Sequence, residues 1–214
     1  MGPGRAGATA DTALRAQGLS FSRGGRRVFE GIDFELHPGQ LLQVLGANGS
    51  GKTSLLRVLG GLLPADEGEL CWCGEAVRGG QPEFLQSVAY LGHTNGIDAD
   101  LSGMENLRFA ARMAGADDEP ARLADALRAM GLDPASQAPV RTLSQGQRRR
   151  VALARLALLR RTLWLLDEPV SSLDAASGER FFAQLGRHLH GGGMAVVATH
   201  EVLPSASQTL QLQG

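Results

Sequence analysis

The chain has 214 residues, 43% of them hydrophobic, and a formal charge of −1 at pH 7. This length fits one large domain, or one domain with an inserted subdomain, and the near-neutral charge argues against a general nucleic-acid binder. No apolar run reaches the roughly 20 residues that span a bilayer, and the amino terminus lacks the apolar core of a signal peptide. We therefore expect a cytoplasmic protein.

The first part of the chain predicts a tail followed by strands. Residues 1–12 are rich in glycine and alanine without periodicity, which predicts a disordered tail. Alternating apolar residues over 14–21 and 26–36 flank turn residues and predict antiparallel strands. An apolar run at 41–45 predicts a further strand, as does the segment 87–92.

The pattern changes between residues 94 and 159. Alanine, leucine and arginine dominate there, and apolar residues recur at helical spacing over 101–114 and 119–130. We expect a helical subdomain at 94–159, inserted into an α/β core domain that comprises residues 13–93 and 160–214.

The last part of the chain returns to strand patterns. Unbroken apolar runs at 163–166 and 194–198 are typical of parallel strands buried on both faces, and 174–190 has helical spacing between them. The predicted fold class is α/β, with a mainly parallel sheet core, an amino-terminal antiparallel β part and the inserted helices.

Two cysteines are separated by one residue. Cys71 and Cys73 lie in a predicted strand at 69–73, where this spacing would put both thiols on one face. We interpret them as inert packing residues, with a redox or metal role as the alternative.

A glycine-rich loop joins the predicted strand at 41–45 to a helical pattern. In this context G-x-x-x-x-G-K-[ST] cradles phosphates, because inward-facing amide groups and the helix dipole favour an anion. Lys52 is the only lysine, while arginine occupies every other basic position. We expect Lys52 to contact the outer phosphates and the Thr53 hydroxyl to hold Mg²⁺. The predicted nucleotide-binding residues of this phosphate loop are Gly46, Ala47, Asn48, Gly49, Ser50, Gly51, Lys52, Thr53 and Ser54.

Two adjacent carboxylates follow the predicted strand at 163–166. Ligands sit at the carboxyl ends of parallel strands, so we expect Asp167 to hold the magnesium through water and Glu168 to orient or deprotonate an attacking water. The alternative is a solvated turn helped by Pro169, although carboxylates after a buried strand are costly without a function.

The segment Leu143-Ser144-Gln145-Gly146-Gln147, here called the signature segment, precedes an arginine-rich helical pattern. Ser144 is typical of a helix N-cap, and a helix amino terminus with a serine is a second phosphate-binding device. We interpret the following Arg148-Arg149-Arg150 as a solvated, interface-facing helix start; a nucleic-acid patch is the alternative.

The order of the phosphate loop, the signature segment, Asp167-Glu168 and His200 resembles the nucleotide-binding domain of ABC ATPases. Gln145 replaces the first glycine of the usual Leu-Ser-Gly-Gly-Gln signature, and a guanine-reading Asn-Lys-x-Asp motif is absent. The resemblance implies ATP and Mg²⁺ as cofactors and a two-fold dimer of ATPase subunits. In that dimer Ser144, Gly146 and Gln147 would close over the partner's nucleotide, and His200 would sense the γ-phosphate.

More narrowly, Gly92-His93 and Thr162-Leu163-Trp164 are similar to the ATP-binding subunits of haem exporters in cytochrome c maturation. This resemblance implies a separate polytopic membrane subunit, docked near His93 between the core and the helical insertion, and haem-handling maturation proteins as partners. It also implies a place on the cytoplasmic face of the bacterial inner membrane. We expect neither direct haem binding nor nucleic-acid binding. The alternatives are another ABC transporter, or a non-transport ABC ATPase that acts on ribosomes or DNA.

Two positions depart from the general ABC pattern. His93 falls where most members carry the glutamine that reaches the magnesium and attacking water; a neutral imidazole can accept a hydrogen bond from such a water, but an imidazolium cannot. The alternative is a strand-end histidine without a catalytic part. Arg23 occupies the position where an aromatic ring commonly stacks on adenine. A guanidinium can also stack on a base, and Phe21 is the other candidate.

Overall fold

A computed structural model describes residues 14–203 and 205–213, so the tail predicted at 1–12 lies outside the described residues. The strands are β1 (Leu14–Arg23), β2 (Arg26–Leu36), β3 (Leu41–Leu45), β4 (Glu67–Trp72), β5 (Glu75–Ala76), β6 (Val88–Leu91), β7 (Leu163–Asp167), β8 (Met194–Ala198) and β9 (Gln208–Gln211). The helices are α1 (Lys52–Leu59), α2 (Pro82–Ser87), α3 (Gly103–Met113), α4 (Pro120–Ala129), α5 (Gln145–Leu159) and α6 (Ala175–His190), with a 3-10 turn at Val140–Thr142.

The amino-terminal strands form an antiparallel sheet in the order β2-β1-β4-β5. Gly24 and Gly25 connect β1 to β2 with φ angles of 59° and 77°. Tight two-residue hairpin loops of this kind need positive φ at both central positions, which glycine adopts without a steric penalty. The sequence therefore sets both the hairpin and its turn, as the alternation over 14–21 and 26–36 predicted.

The second sheet is parallel, with strand order β6-β7-β8-β3-β9. Every residue of β7 and β8 is buried, as their unbroken apolar runs predicted. Leu163 and Leu165 pack on one side of the sheet, and Trp164 and Leu166 belong to the cluster on the other side. Because parallel strands end at the same edge, the residues after β3, β7 and β8 lie together there.

Helices α3, α4 and α5 lie within 94–159 and pack on one another. Two of them begin with a capping box, one from Ser102 and Glu105 and one from Ser144 and Gln147. The boundaries of the helical subdomain at 94–159 and of the surrounding α/β core stay a prediction. Across residues 14–203 and 205–213, no helix combines the length and the hydropathy that a membrane crossing requires.

The prediction that one strand face carries both Cys71 and Cys73 is wrong, whereas their interpretation as inert packing residues stays a prediction. Strand β4 ends at Trp72, and Cys73 has a left-handed φ of 52° in the turn that leads to β5. The backbone turns between Cys71 and Cys73 before a strand face could present both thiols. The sequence pattern also missed three short elements, the edge strands β5 and β9 and the helix α2.

Candidate functional site

The phosphate loop leaves the end of β3 and enters α1, the order that the motif requires. Gly49 and Gly51 have φ angles of 85° and 99°, a backbone region open mainly to glycine. A Cβ on Gly46 would lie 2.9 Å from the carbonyl oxygen of Leu212 and would also crowd the Ser50 hydroxyl. These glycines let the backbone curl tightly against β9 and the loop itself.

Lys52 is buried at the centre of this loop. Its Nζ donates to the carbonyl oxygens of Gly46 at 2.6 Å and Ala47 at 3.2 Å, which holds the cation against the loop. The hydroxyl of Ser50 is also buried, and it has no hydrogen-bond partner within the described part of the chain. A buried, unpaired hydroxyl beside a buried cation fits a loop that awaits an anionic ligand.

The two predicted metal-holding residues are in direct contact. The Thr53 hydroxyl donates to Oδ2 of the buried Asp167 at 2.6 Å, across 114 positions of sequence. Both line a cavity of about 400 Å³ together with Lys52 and Glu168. Hydroxyl and carboxylate oxygens are the hard ligands that Mg²⁺ prefers, so these residues fit that ion.

Glu168 follows directly after β7 in a left-handed conformation with φ of 46°. Such a conformation costs a non-glycine residue about 1–3 kcal/mol and persists only where surrounding contacts hold it. The Glu168 amide donates to the Ala198 carbonyl at 2.9 Å, and the carboxylate lies 3.2 Å from Nδ1 of His200. The fold therefore brings Glu168 and His200, two of the predicted catalytic side chains, together from the ends of neighbouring strands.

The remaining predicted residues divide between two cavities. His93 and Arg23 line the same cavity as Lys52 and Asp167. Phe21 does not line it, because its ring is buried and stacks on Phe29 with 5.8 Å between the ring centroids. Of the two candidates for base stacking, Arg23 is the one that lines this cavity.

The signature segment lies elsewhere. The Ser144 hydroxyl accepts from the Gln147 amide at 3.2 Å, and the Gln147 side chain accepts from the Ser144 amide at 2.9 Å. With Gly146 they line a separate cavity of about 390 Å³, which shares no lining residue with the cavity of the phosphate loop. One copy of the chain therefore does not bring Ser144, Gly146 and Gln147 to its own Lys52.

The prediction of a solvated helix start is wrong for Arg149, which is only 4% exposed. Its guanidinium donates to the main-chain oxygens of Gly92, Asp167, Glu168 and Pro169 and to the side-chain oxygen of Asn95. Burial lowers the pKa of this guanidinium, and the charges of Asp167 and Glu168 oppose that shift. The sequence signal was a run of three arginines, which did not show that the middle one is buried.

A parallel sheet with a phosphate loop, a Thr–Asp pair, a Glu–His pair and a separate serine-capped helix defines an ATP-binding cassette ATPase. The family model described as "ABC transporter" matches residues 29–171. The CcmA cytochrome c biogenesis ATP-binding export protein of Cupriavidus necator is 65% identical over 199 residues, covering 93% of this chain and 87% of that protein. CcmA 2 of Cupriavidus metallidurans is 57% identical over 203 residues, 95% of this chain and 96% of that protein. The chain thus belongs to the ABC transporter family and, within it, to the CcmA group.

Solved structures agree with the fold. An ABC transporter ATP-binding protein from Pyrococcus furiosus superposes with a TM-score of 0.83 at 25% identity, covering 94% of this chain and 97% of that one. A dimeric ATP-binding cassette in a post-hydrolysis state, bound to ADP and Pi, gives a TM-score of 0.82 at 21% identity and covers 94% of each chain. The predicted fold class is confirmed.

Proposed function

We propose that this chain is the ATP-hydrolysing subunit of an ABC exporter that acts in cytochrome c biogenesis. The observation that carries the proposal is the meeting of Lys52, the Thr53–Asp167 pair and the Glu168–His200 pair at one edge of the sheet. Relatives named as cytochrome c biogenesis ATP-binding export proteins, at 45% to 65% identity, support the choice of exporter.

The phosphate loop binds the triphosphate of ATP in this proposal. Lys52 exchanges its bonds to the Gly46 and Ala47 carbonyl oxygens for bonds to phosphate oxygens, and the buried Ser50 hydroxyl gains a partner. Thr53 and Asp167 would hold Mg²⁺, which supplies charge neutralisation to the phosphates when it is bound. Arg23 stacks on the adenine from the rim of the same cavity.

Glu168 orients the attacking water and accepts its proton. His200 lies within hydrogen-bond distance of that carboxylate, so it fixes the carboxylate's direction and can contact the γ-phosphate beside it. His93 lines the cavity with Glu168, where a ring nitrogen is placed to accept a hydrogen bond from water. These three residues are the catalytic set that we propose.

Each complete site needs two copies of the chain. Ser144, Gly146 and Gln147 line a cavity of their own, open for the nucleotide of a second subunit. A two-fold dimer then makes two such sites, in which donors from both chains stabilise the developing negative charge.

A groove between the core and the helices is the proposed docking place of a polytopic membrane subunit. It encloses about 440 Å³ and is lined on one side by Tyr90 and on the other by Phe109 and Met113. The side chains of Phe109 and Met113 are 61% and 74% exposed, although large apolar side chains are normally buried. We propose that the complex sits on the cytoplasmic face of the bacterial inner membrane and that the haem-handling partners, rather than this chain, bind haem.

The test is to purify the tagged Glu168→Gln variant from detergent-solubilised membranes with ATP and to identify the proteins that accompany it. A polytopic protein together with haem-handling maturation factors is the expected result, and the Lys52→Ala variant, which we expect to lose ATP binding, supplies the matched control. A different permease would overturn the assignment to cytochrome c biogenesis. Ribosomes or nucleic acid would overturn the transport function itself.

A further inference from the structure

We propose that Arg149 is a positioning residue for ATP hydrolysis. Its side chain, which extends from the helix after the signature segment, hydrogen-bonds the backbone on both sides of Glu168 and the backbone that precedes His93. This inference rests on the proposed function, because it concerns the same hydrolytic site. Arg149 lies in α5, five residues after the N-cap Ser144.

The guanidinium of Arg149 has all five of its N–H donors paired. Nε donates to the Pro169 carbonyl at 3.1 Å, Nη1 to the Gly92 carbonyl at 2.9 Å and to Asn95 Oδ1 at 3.1 Å. Nη2 donates to the carbonyl oxygens of Asp167 at 2.7 Å and Glu168 at 2.8 Å. A lysine offers three donors from one point and cannot reproduce this planar fork.

These acceptors surround the proposed catalytic side chains. The carbonyl oxygens of Asp167 and Glu168 lie on either side of the Glu168 Cα, whose left-handed φ of 46° needs support from its surroundings. The Gly92 carbonyl belongs to the peptide bond that leads into His93. One side chain from α5 therefore fixes the ends of two sheet strands at the point where each delivers a catalytic group.

Burying the Arg149 guanidinium costs desolvation free energy. Arg149 is buried, yet none of its five acceptors is a carboxylate. Burying a cation without a directly bonded carboxylate carries a desolvation penalty, offset here by the full set of hydrogen bonds and by the nearby charges of Asp167 and Glu168. An apolar side chain could pack α5 against the sheet with a smaller desolvation penalty, so packing alone does not explain an arginine at this position.

Arg122 provides a matched control. The Arg122 guanidinium also donates to a main-chain oxygen of α5, the Leu158 carbonyl at 2.9 Å, but at the opposite end of the helix from Ser144. Removal of Arg122 therefore tests the general effect of losing an arginine that braces α5. It leaves the strand ends at Glu168 and His93 untouched.

The experiment compares Arg149→Gln, Arg149→Lys and Arg122→Gln with the natural chain in steady-state ATPase assays, in binding of a fluorescent ATP analogue and in ATP-dependent dimerisation. We expect kcat to fall by roughly 100-fold in Arg149→Gln, the scale of a displacement of about 1 Å at a catalytic group. ATP affinity should change by less than about threefold, because the phosphate loop is intact. The variant should also accumulate as an ATP-bound dimer, which a displaced signature helix would prevent.

Arg149→Lys retains the charge but loses the fork, so we expect it to recover only part of kcat. Wild-type kcat in either Arg149 variant, or an ATP-bound Arg149→Gln that stays monomeric, would refute the positioning role. If Arg149→Gln does not fold, the kcat of Arg149→Lys decides: a reduced kcat supports the positioning role, and a wild-type kcat refutes it. An inactive natural chain would instead refute the proposed function, so the two failures are distinguishable.

Discussion

Replacing Thr53 by valine removes one hydroxyl and almost nothing else, because the two side chains have nearly the same shape. The lost contact is the 2.6 Å hydrogen bond from Thr53 to the buried carboxylate of Asp167. A hydrogen bond to a charged group contributes about 1.5–3 kcal/mol, and a domain of this size loses about 2–4 °C of Tm per kcal/mol. We therefore expect the Tm of the nucleotide-free protein to fall by about 3–12 °C.

The same substitution removes a proposed magnesium ligand, so the Mg²⁺-dependent ATPase rate should fall by roughly tenfold or more. Thermal unfolding and ATPase assays across a Mg²⁺ titration measure both effects. Thr53→Ser keeps the hydroxyl and should retain most of the stability and the Mg²⁺ response. A Thr53→Val variant with unchanged Tm and unchanged Mg²⁺ dependence would refute the reasoning about this pair.

Three further predictions concern Arg23, His93 and His188. Arg23→Ala should weaken ATP binding by roughly 5- to 30-fold if the guanidinium stacks on the base, and unchanged affinity in a binding titration would show that it does not. ATPase activity should decline toward acid pH more steeply in the natural chain than in His93→Gln, since only the histidine loses its acceptor on protonation; parallel profiles would exclude that role. Burial against Trp164, with 3.9 Å between the ring centroids, lowers the pKa of His188 from its ordinary 6.5. His188 therefore binds a proton more readily in the unfolded chain than in the folded one, so the free energy of unfolding decreases as the pH falls below the ordinary pKa of 6.5. His188→Phe should flatten the fall in Tm between about pH 7 and about pH 5, and an equally steep fall would contradict the assignment.

The sequence located the phosphate loop and Asp167-Glu168 because each is a short contiguous segment beside an unbroken apolar strand. Covalent continuity then carries these residues to the carboxyl edge of the sheet, whatever the details of packing. The contact between Thr53 and Asp167 follows from the same rule, although its 2.6 Å geometry needed the structure.

The burial of Arg149 could not be predicted from the sequence. Consecutive residues of a helix point about 100° apart, so three adjacent arginines face three directions, and composition does not show which one meets the sheet. The acceptors of Arg149 lie up to 57 positions away in the chain. Strand β9 was missed for a related reason, because its Gln-Thr-Leu-Gln sequence is recognisable as a strand only through its pairing with β3 at the sheet edge.

The composite site is the central claim, and ATP-dependent dimerisation of Glu168→Gln tests it most directly. Light scattering of the purified variant with Mg²⁺ and ATP should show a dimer that disperses when ATP is removed. Glu168→Gln combined with Lys52→Ala should stay monomeric, as should its combination with a Ser144→Arg substitution in the signature segment. A Glu168→Gln protein that binds ATP and remains a monomer would contradict the account.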